Sequence, residues 1–198
     1  MKQLSFLRAT DYLSMPWRNG DGVTKEICRS IDPTGSDFAW RFSSAEVGKA
    51  GPFSSFTGYQ RIISVLKGKG IQLHIPDQPS VSLRPLETFA FSGDLAVDCA
   101  LLDGPVIDLN LIYRPDRYSA HFQWITEQAH KQSIFHSAPI LLLFNAGNEI
   151  QIEMDGQLIE KLGNFDTLWL KNPQQELVEL TLPHLACCAV VALWPKNP

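Results

Sequence analysis

The sequence of 198 residues contains no apolar stretch long enough to cross a bilayer. Its longest, LACCAVVALW from Leu185 to Trp194, falls well short of the roughly 20 residues a spanning helix needs. The opening MKQLSFLRATDYL is interrupted by Arg8 and Asp11, so it lacks the apolar run of a secretion signal. Basic excess is missing as well: 17 Lys and Arg against 21 Asp and Glu leave a net charge of −4 with His neutral, and the charges are scattered. A nucleic-acid binder would show the opposite sign gathered on one face. Only four cysteines occur and none has C-x-x-C spacing; adjacent Cys187 and Cys188 would point to opposite faces of a strand. Histidines 74, 121, 130, 136 and 184 form no His-x-His pair. There is no phosphate loop ending in Gly-Lys-Ser/Thr and no G-x-S-x-G elbow. These absences lead us to expect a cytoplasmic protein with reduced thiols and no membrane or nucleic-acid partner. They leave a homodimer open.

What is present is β-sheet. Hydrophobic residues make up 44% and charged residues 19%, a globular balance. Short segments such as FAWRFSSAEV, YQRIISVLKG, GIQLHI, VSLRPLETFAF, VIDLNLIY, APILLLFN and CCAVVALW are rich in β-branched and aromatic residues and bounded by Gly, Pro, Asn or Asp. Many alternate, which puts one set of side chains on each face of a strand. The sequence also echoes itself. VLKGKGIQLHIPDQPSVSLRPLETFAF (65–91) aligns without a gap on FNAGNEIQIEMDGQLIEKLGNFDTLWL (144–170), so that Gly68 meets Gly147 and Ile71-Gln72-Leu73 meets Ile150-Gln151-Ile152. A sustained echo of this kind reads as a duplicated unit.

The repeated pattern of strand, glycine turn and strand resembles the cupin signature. It implies an all-β duplicated cupin (a bicupin), two small jelly-roll β-barrels packed together as one compact unit. We place the halves at residues 1–105, with the pocket, and 106–198, a structural half. Metal-binding cupins carry His-x-His, then Glu, then six residues and Gly. Counted back from Gly68, the Glu position holds Arg61, the His positions fall in FSSFT (53–57), and the later His position falls at Asp94 or Leu95. An arginine where a metal-binding glutamate would stand implies a barrel built to hold an anion, with no metal or cofactor. Arg61 as a structural partner of Asp94 or Glu46 is the competing reading. Three further stretches, PWRNGDGVTKEI, WRFSSAEVGKAGPFSSFTGYQRIISVLKGKGIQL and FSGDLAVDCALLDGPVIDLNLIYR, closely resemble the HutD/Ves family over residues 15–114. One departure is Asp21, which interrupts a run of glycines typical of that family. The resemblance implies a bacterial protein associated with histidine utilisation or stress induction, binding a small acid of the formylglutamate type.

Such a ligand needs a bidentate cation, polar donors and an apolar wall. The candidates are Arg18, Arg41 and Arg61 as cations, Asn19, Thr24, Ser43 and Ser54 as polar groups, and Trp17, Phe53 and Phe56 as walls, with Tyr59 beside them. Gly20 and Gly22 would admit backbone N–H groups to the ligand. Arg41 and Ser43 share a strand face, which could equally face solvent. Asp108 and Asn110 share another, placed to orient an arginine, and Asp94 completes the set. His121 and His130 read as surface residues and Trp169 and Trp194 as core. The expected function is metal-independent binding in a regulatory or sensor role. The alternative is a metal-independent isomerase or epimerase drawing its acid and base from Asp94, Asp108, Glu46 or Tyr59. A third is an interaction module presenting a sheet edge.

Overall fold

The structure is a computed structural model that describes residues 1–17, 22–31, 38–126, 130–183 and 185–196. Among the described residues it contains β-strands, one 3₁₀ turn at Ala9–Asp11 and no α-helix. The strands begin β1 (Gln3–Leu7), β2 (Leu13–Pro16), β3 (Gly22–Arg29), β4 (Trp40–Val47), β5 (Gly51–Pro52) and β6 (Gln60–Lys67). There follow β7 (Ile71–His74), β8 (Val81–Leu83), β9 (Thr88–Ser92), β10 (Asp98–Leu101), β11 (Val106–Tyr113), β12 (Tyr118–Ile125) and β13 (Gln132–His136). The last are β14 (Ile140–Asn145), β15 (Ile150–Met154), β16 (Gln157–Leu162), β17 (Thr167–Lys171), β18 (Val178–Leu182) and β19 (Cys188–Pro195).

Two compact units result, Leu13–Arg117 on one hand and Met1–Tyr12 with Tyr118–Pro198 on the other. In the first, a six-stranded sheet runs β2-β3-β4-β11-β6-β9 and a four-stranded sheet β5-β10-β7-β8. In the second, the orders are β1-β17-β14-β19-β12 and β13-β18-β15-β16. With the flanking β1, β2 and β3 set aside, the two units have one topology: β4, β11, β6 and β9 correspond to β12, β19, β14 and β17. The four-stranded sheets correspond strand for strand. The echo in the sequence is therefore an echo in the fold.

The sequence reading divided the chain at 105, and the pairing divides it elsewhere. Strand β11 lies between β4 and β6, with Val106–Tyr113 in register against β4 along its whole length. It cannot be parted from the first unit. At the other end, β1 pairs with β17 from Gln3↔Lys171 to Leu7↔Thr167. The segment after it is fastened to the same unit: Arg8 Nη1 and the Ala9 N–H donate to Asp166 at 2.9 and 2.8 Å, and the Tyr12 hydroxyl donates to the Phe165 carbonyl at 2.6 Å.

Strands β1, β2, β5 and β13 escaped the sequence reading, being short, exposed or without clean alternation. The run VSLRPLETFAF is two strands rather than one. Pro85 offers no ladder donor, and Leu86 turns the chain with φ 67°, its N–H donating to the Val65 carbonyl at 2.8 Å. Inside the first unit, Ile63, Val65, Ile71, Leu73, Leu83 and Val106 are buried together.

The turn before β7 fixes how that strand meets β8. Gly70 has φ 123°, and a Cβ there would stand 2.4 Å from the Leu83 carbonyl oxygen. We expect Gly70→Ala to lower stability by at least about 1–2 kcal/mol through this clash and the left-handed backbone. A chemical-denaturation midpoint unchanged from the parent would contradict that.

Candidate functional site

Alternation and register together line one side of a cavity. On the inner face of the six-stranded sheet, Thr24, Ala45 and Asp108 form one cross-strand row, and Ser43, Asn110 and Ile63 the next. Arg41, Ile112, Arg61 and Phe91 form a third. The cavity they front measures about 570 Å³ and is completed by Met15, Pro16, Trp17, Val47 and the segment Lys49–Ser54 with Phe56.

Arg61 is the centre of this arrangement. It is only 6% exposed. One Nη donates to Asn110 Oδ1 at 3.0 Å and the other to the Ser54 carbonyl at 3.2 Å. Its guanidinium carbon lies 5.0, 5.5 and 5.1 Å from the ring centres of Phe53, Phe56 and Phe91, within the range of cation–π attraction. The buried Nε–H has no hydrogen-bond partner. Among the described residues no carboxylate lies within 4.0 Å, so neither Asp94 nor Glu46 is its partner. Burial lowers its pKa to about 10, with nearby Arg41 pushing the same way against the pull of Asp108. It stays charged at neutral pH.

Asp108 is 3% exposed and reaches Arg61 only through an amide. Asn110 Nδ2 donates to Asp108 Oδ1 at 2.7 Å while its own Oδ1 accepts from Arg61. The Ala45 N–H donates to that same aspartate oxygen at 3.1 Å. Among the described residues no donor reaches Oδ2. Burial pushes the carboxyl up to about 7; Arg61, the Ala45 N–H and the Asn110 amide pull it down and do not overcome the loss of water.

Other candidates fall into place around this core. Trp17 donates its indole N–H to Thr24 Oγ1 at 2.8 Å and forms part of the wall. Arg41 is half-buried, its guanidinium 4.8 and 5.3 Å from the Phe38 and Phe56 rings. Ser43 is buried, so this strand face looks into the cavity rather than into solvent. Of the residues picked out from sequence, Trp17, Thr24, Arg41, Ser43, Phe53, Ser54, Phe56, Arg61, Asp108 and Asn110 all line one cavity.

Asp94 does not. It is exposed and serves a turn, accepting from the Gly58 N–H at 3.0 Å and from Ser92 Oγ at 3.0 Å. The side chain that meets Arg61 from β9 is Phe91, three residues earlier. Gly22 also has a different job. A Cβ there would lie 2.8 Å from the Trp17 ring and 2.4 Å from the Glu46 carbonyl, so its bareness makes room for the indole. Arg18, Asn19 and Gly20 lie outside the described residues. Among the lining residues missed from the sequence are Lys49 and the strand residues Ala45, Val47 and Ile112. All but Lys49 are continuations of alternations already visible.

The donor set does not fit a first-row metal ion, which needs three or four converging N, O or S ligands. A guanidinium occupies the centre, and Asp108 is the sole His, Cys, Asp or Glu among the described lining residues. Among the described residues nowhere do three such side chains gather at metal-binding distances.

The family model HutD matches residues 9–187. The chain belongs to the HutD family. It is 43% identical over 187 residues to an uncharacterized 21.2 kDa protein in the hutC 3′ region of Pseudomonas putida, covering 94% of this chain and 96% of that one. A conserved protein of unknown function from Pseudomonas aeruginosa PAO1 superposes with TM-score 0.90 at 41% identity, over 98% of this chain and 100% of that one. HutD from Pseudomonas fluorescens SBW25, in a formate condition, gives TM-score 0.86 at 38% identity over 98% and 100%. About half of the chain aligns with protein Ves of Escherichia fergusonii, 40% identical over 108 residues, 52% of this chain and 56% of that one. YlbA and YhhW of Escherichia coli, at 7% and 8% identity and TM-scores 0.72 and 0.67, share the fold alone. That fold is the all-β duplicated cupin. No helix among the described residues is long and apolar enough to cross a membrane.

The cavity leaves a thermodynamic mark on the free protein. A carboxyl raised from 3.8 to about 7 binds its proton more tightly folded than unfolded, so stability declines as pH rises from about 4 through about 7 and levels off above. The contribution of Asp108 to that decline is on the order of 2–4 kcal/mol. Denaturation at pH 5 and pH 8 measures it: Asp108→Asn should be more stable than the parent at pH 8, and the gap should shrink at pH 5.

Proposed function

We propose that this HutD-family protein binds a small anionic metabolite, a formylglutamate-like acid, in the cavity of the unit Leu13–Arg117. Binding is independent of metal and serves a regulatory or sensor role in histidine utilisation or a stress response. The observation that carries the reading is Arg61: a buried, charged guanidinium with no carboxylate beside it among the described residues, facing a cavity of about 570 Å³. Burying a charge without a direct counter-ion is unfavourable, and an anionic ligand would supply the missing partner. Arg41 and Lys49 add positive charge to the lining, and Trp17, Phe53 and Phe56 give apolar walls suited to a short carbon chain. The relative in the hutC 3′ region favours a setting in histidine breakdown, and the HutD structure from a formate condition makes formate a natural first probe. A cytoplasmic location is part of the proposal.

One observation favours an enzymatic second reading. Asp108 titrates near 7, where a general acid or base works best. Glu46 instead pairs with Lys25 at 3.5 Å, Asp94 serves a turn, and the Tyr59 hydroxyl donates to the Phe38 carbonyl at 2.7 Å. Among the described lining residues, a catalyst here would work with Asp108 as its one carboxyl acid–base group. Proton exchange at a carbon of bound formylglutamate in heavy water, lost in Asp108→Asn, would decide for it.

Isothermal titration with formylglutamate, urocanate, glutamate and formate tests the binding reading, with Trp17 emission as a second readout. Arg61→Leu is the discriminating variant. We expect it to lose at least about fiftyfold in affinity while folding as stably as the parent, because replacing a buried charge by an apolar side chain is often neutral or stabilising. Heat of binding from none of these acids, or full affinity in Arg61→Leu, defeats the reading.

A further inference from the structure

The only acid among the described residues lining the cavity is Asp108, and its placement bears on how an anion enters. Its Oδ1 is held by the Ala45 N–H and the Asn110 amide, while Oδ2 has no donor. The Asn110 amide also holds Arg61, so guanidinium and carboxyl are fixed on either side of one side chain. An anion that pairs with Arg61 therefore approaches Asp108, whose own carboxyl is 3% exposed. A second negative charge beside so buried a carboxylate favours its protonated form.

Resting on the binding reading above, we infer that the cavity takes up its anion together with one proton, which resides on Asp108 Oδ2. The proton comes from solvent, an O–H bond forms on the aspartate, and that O–H donates to an oxygen of the bound carboxylate. Arg61 meets the ligand from the same sheet face, on the far side of Asn110 from Asp108, and keeps its charge. The site thus selects a carboxylate that can accept a hydrogen bond from a neutral acid and from a guanidinium.

The surrounding groups agree. From β4, Arg41 adds positive charge to the same cavity, and Lys49 stands at its rim. From β10, Cys99 faces the aspartate; burial pushes its thiol up to about 12, and the Asp108 charge adds to this, so it holds its proton throughout the neutral range. From β3, Glu26 is tied to Arg29 at 3.3 Å. The Cys99 thiol therefore does not exchange a proton near pH 7 in place of Asp108, whose own carboxyl is pushed up to about 7. With an anion alongside, Asp108 would hold its proton to higher pH still, so each further unit of pH weakens binding about tenfold.

Formate is the probe, since it stays ionised across the range and has no other titrating group. Calorimetry at pH 6.5, 7.5 and 8.5, in buffers of different ionisation enthalpy, counts protons taken up per formate bound. We expect close to one proton at pH 8.5 and a fall in affinity of about tenfold from pH 7.5 to 8.5. Asp108→Asn, whatever its absolute affinity, should take up none and show a flat profile. Formate bound by the parent with equal affinity at all three values and no proton uptake overturns this inference and leaves the binding reading standing. A sloping profile that persists in Asp108→Asn also overturns it. Failure of the parent to bind formate even at pH 6.5 overturns this inference, while the binding reading then rests on formylglutamate, urocanate and glutamate.

Discussion

A single guanidinium, buried in the wall of a cavity with no carboxylate against it among the described residues, is the constraint around which the rest of the first unit is arranged. Arg61 enters the interior because β6 alternates, and the same alternation would bury an aliphatic side chain there at no electrostatic penalty. The fold accommodates the charge by softer means. Three aromatic rings present their faces to it, one carbonyl and one amide accept its N–H groups, and Asp108 is kept one residue away. Each is weaker than a direct ion pair, and together they leave the charge available to something that enters from outside.

The second unit shows what the same frame does without that charge. Register in the paired sheets sets Leu141 where Arg61 stands, Val190 where Asn110 stands and Cys188 where Asp108 stands. All three belong to its apolar core. The offset there is one residue longer than the gapless alignment of residues 65–91 on 144–170. The strand β6 carries an irregularity opposite Ile107 and Asp108 that β14 lacks. One unit thus sets apolar side chains at the three positions where the other keeps polar groups on its inner wall.

Much of this could be read from residue order. Alternation in WRFSSAEV and VIDLNLIY set the inward sides of β4 and β11, and the glycine turn fixed the count back to Arg61. The failures have local causes. Asp94 was named because a count along the chain ignores which way a turn re-aims the strand; β9 presents Phe91 to the arginine and then ends. Gly22 was read as an opening to a ligand, whereas its missing side chain is filled by the indole of Trp17, a contact between positions that only the folded hairpin brings together. The boundary at 105 failed because sheet order is long-range: nothing within Val106–Tyr113 announces that both its neighbours lie upstream.

The pairing of β1 with β17 carries a consequence for biosynthesis. Residues 3–7 leave the ribosome before roughly 160 further residues have been translated, the interval separating them from their partner at 167–171. At translation speeds of about 5–20 residues per second, that strand waits some ten to thirty seconds with its ladder groups unmet, while the intervening jelly roll has everything it needs to fold. Completion of the later jelly roll is thereby tied to the translation of residues 167–171, and a chain stopped before them would leave β1 with nowhere to dock.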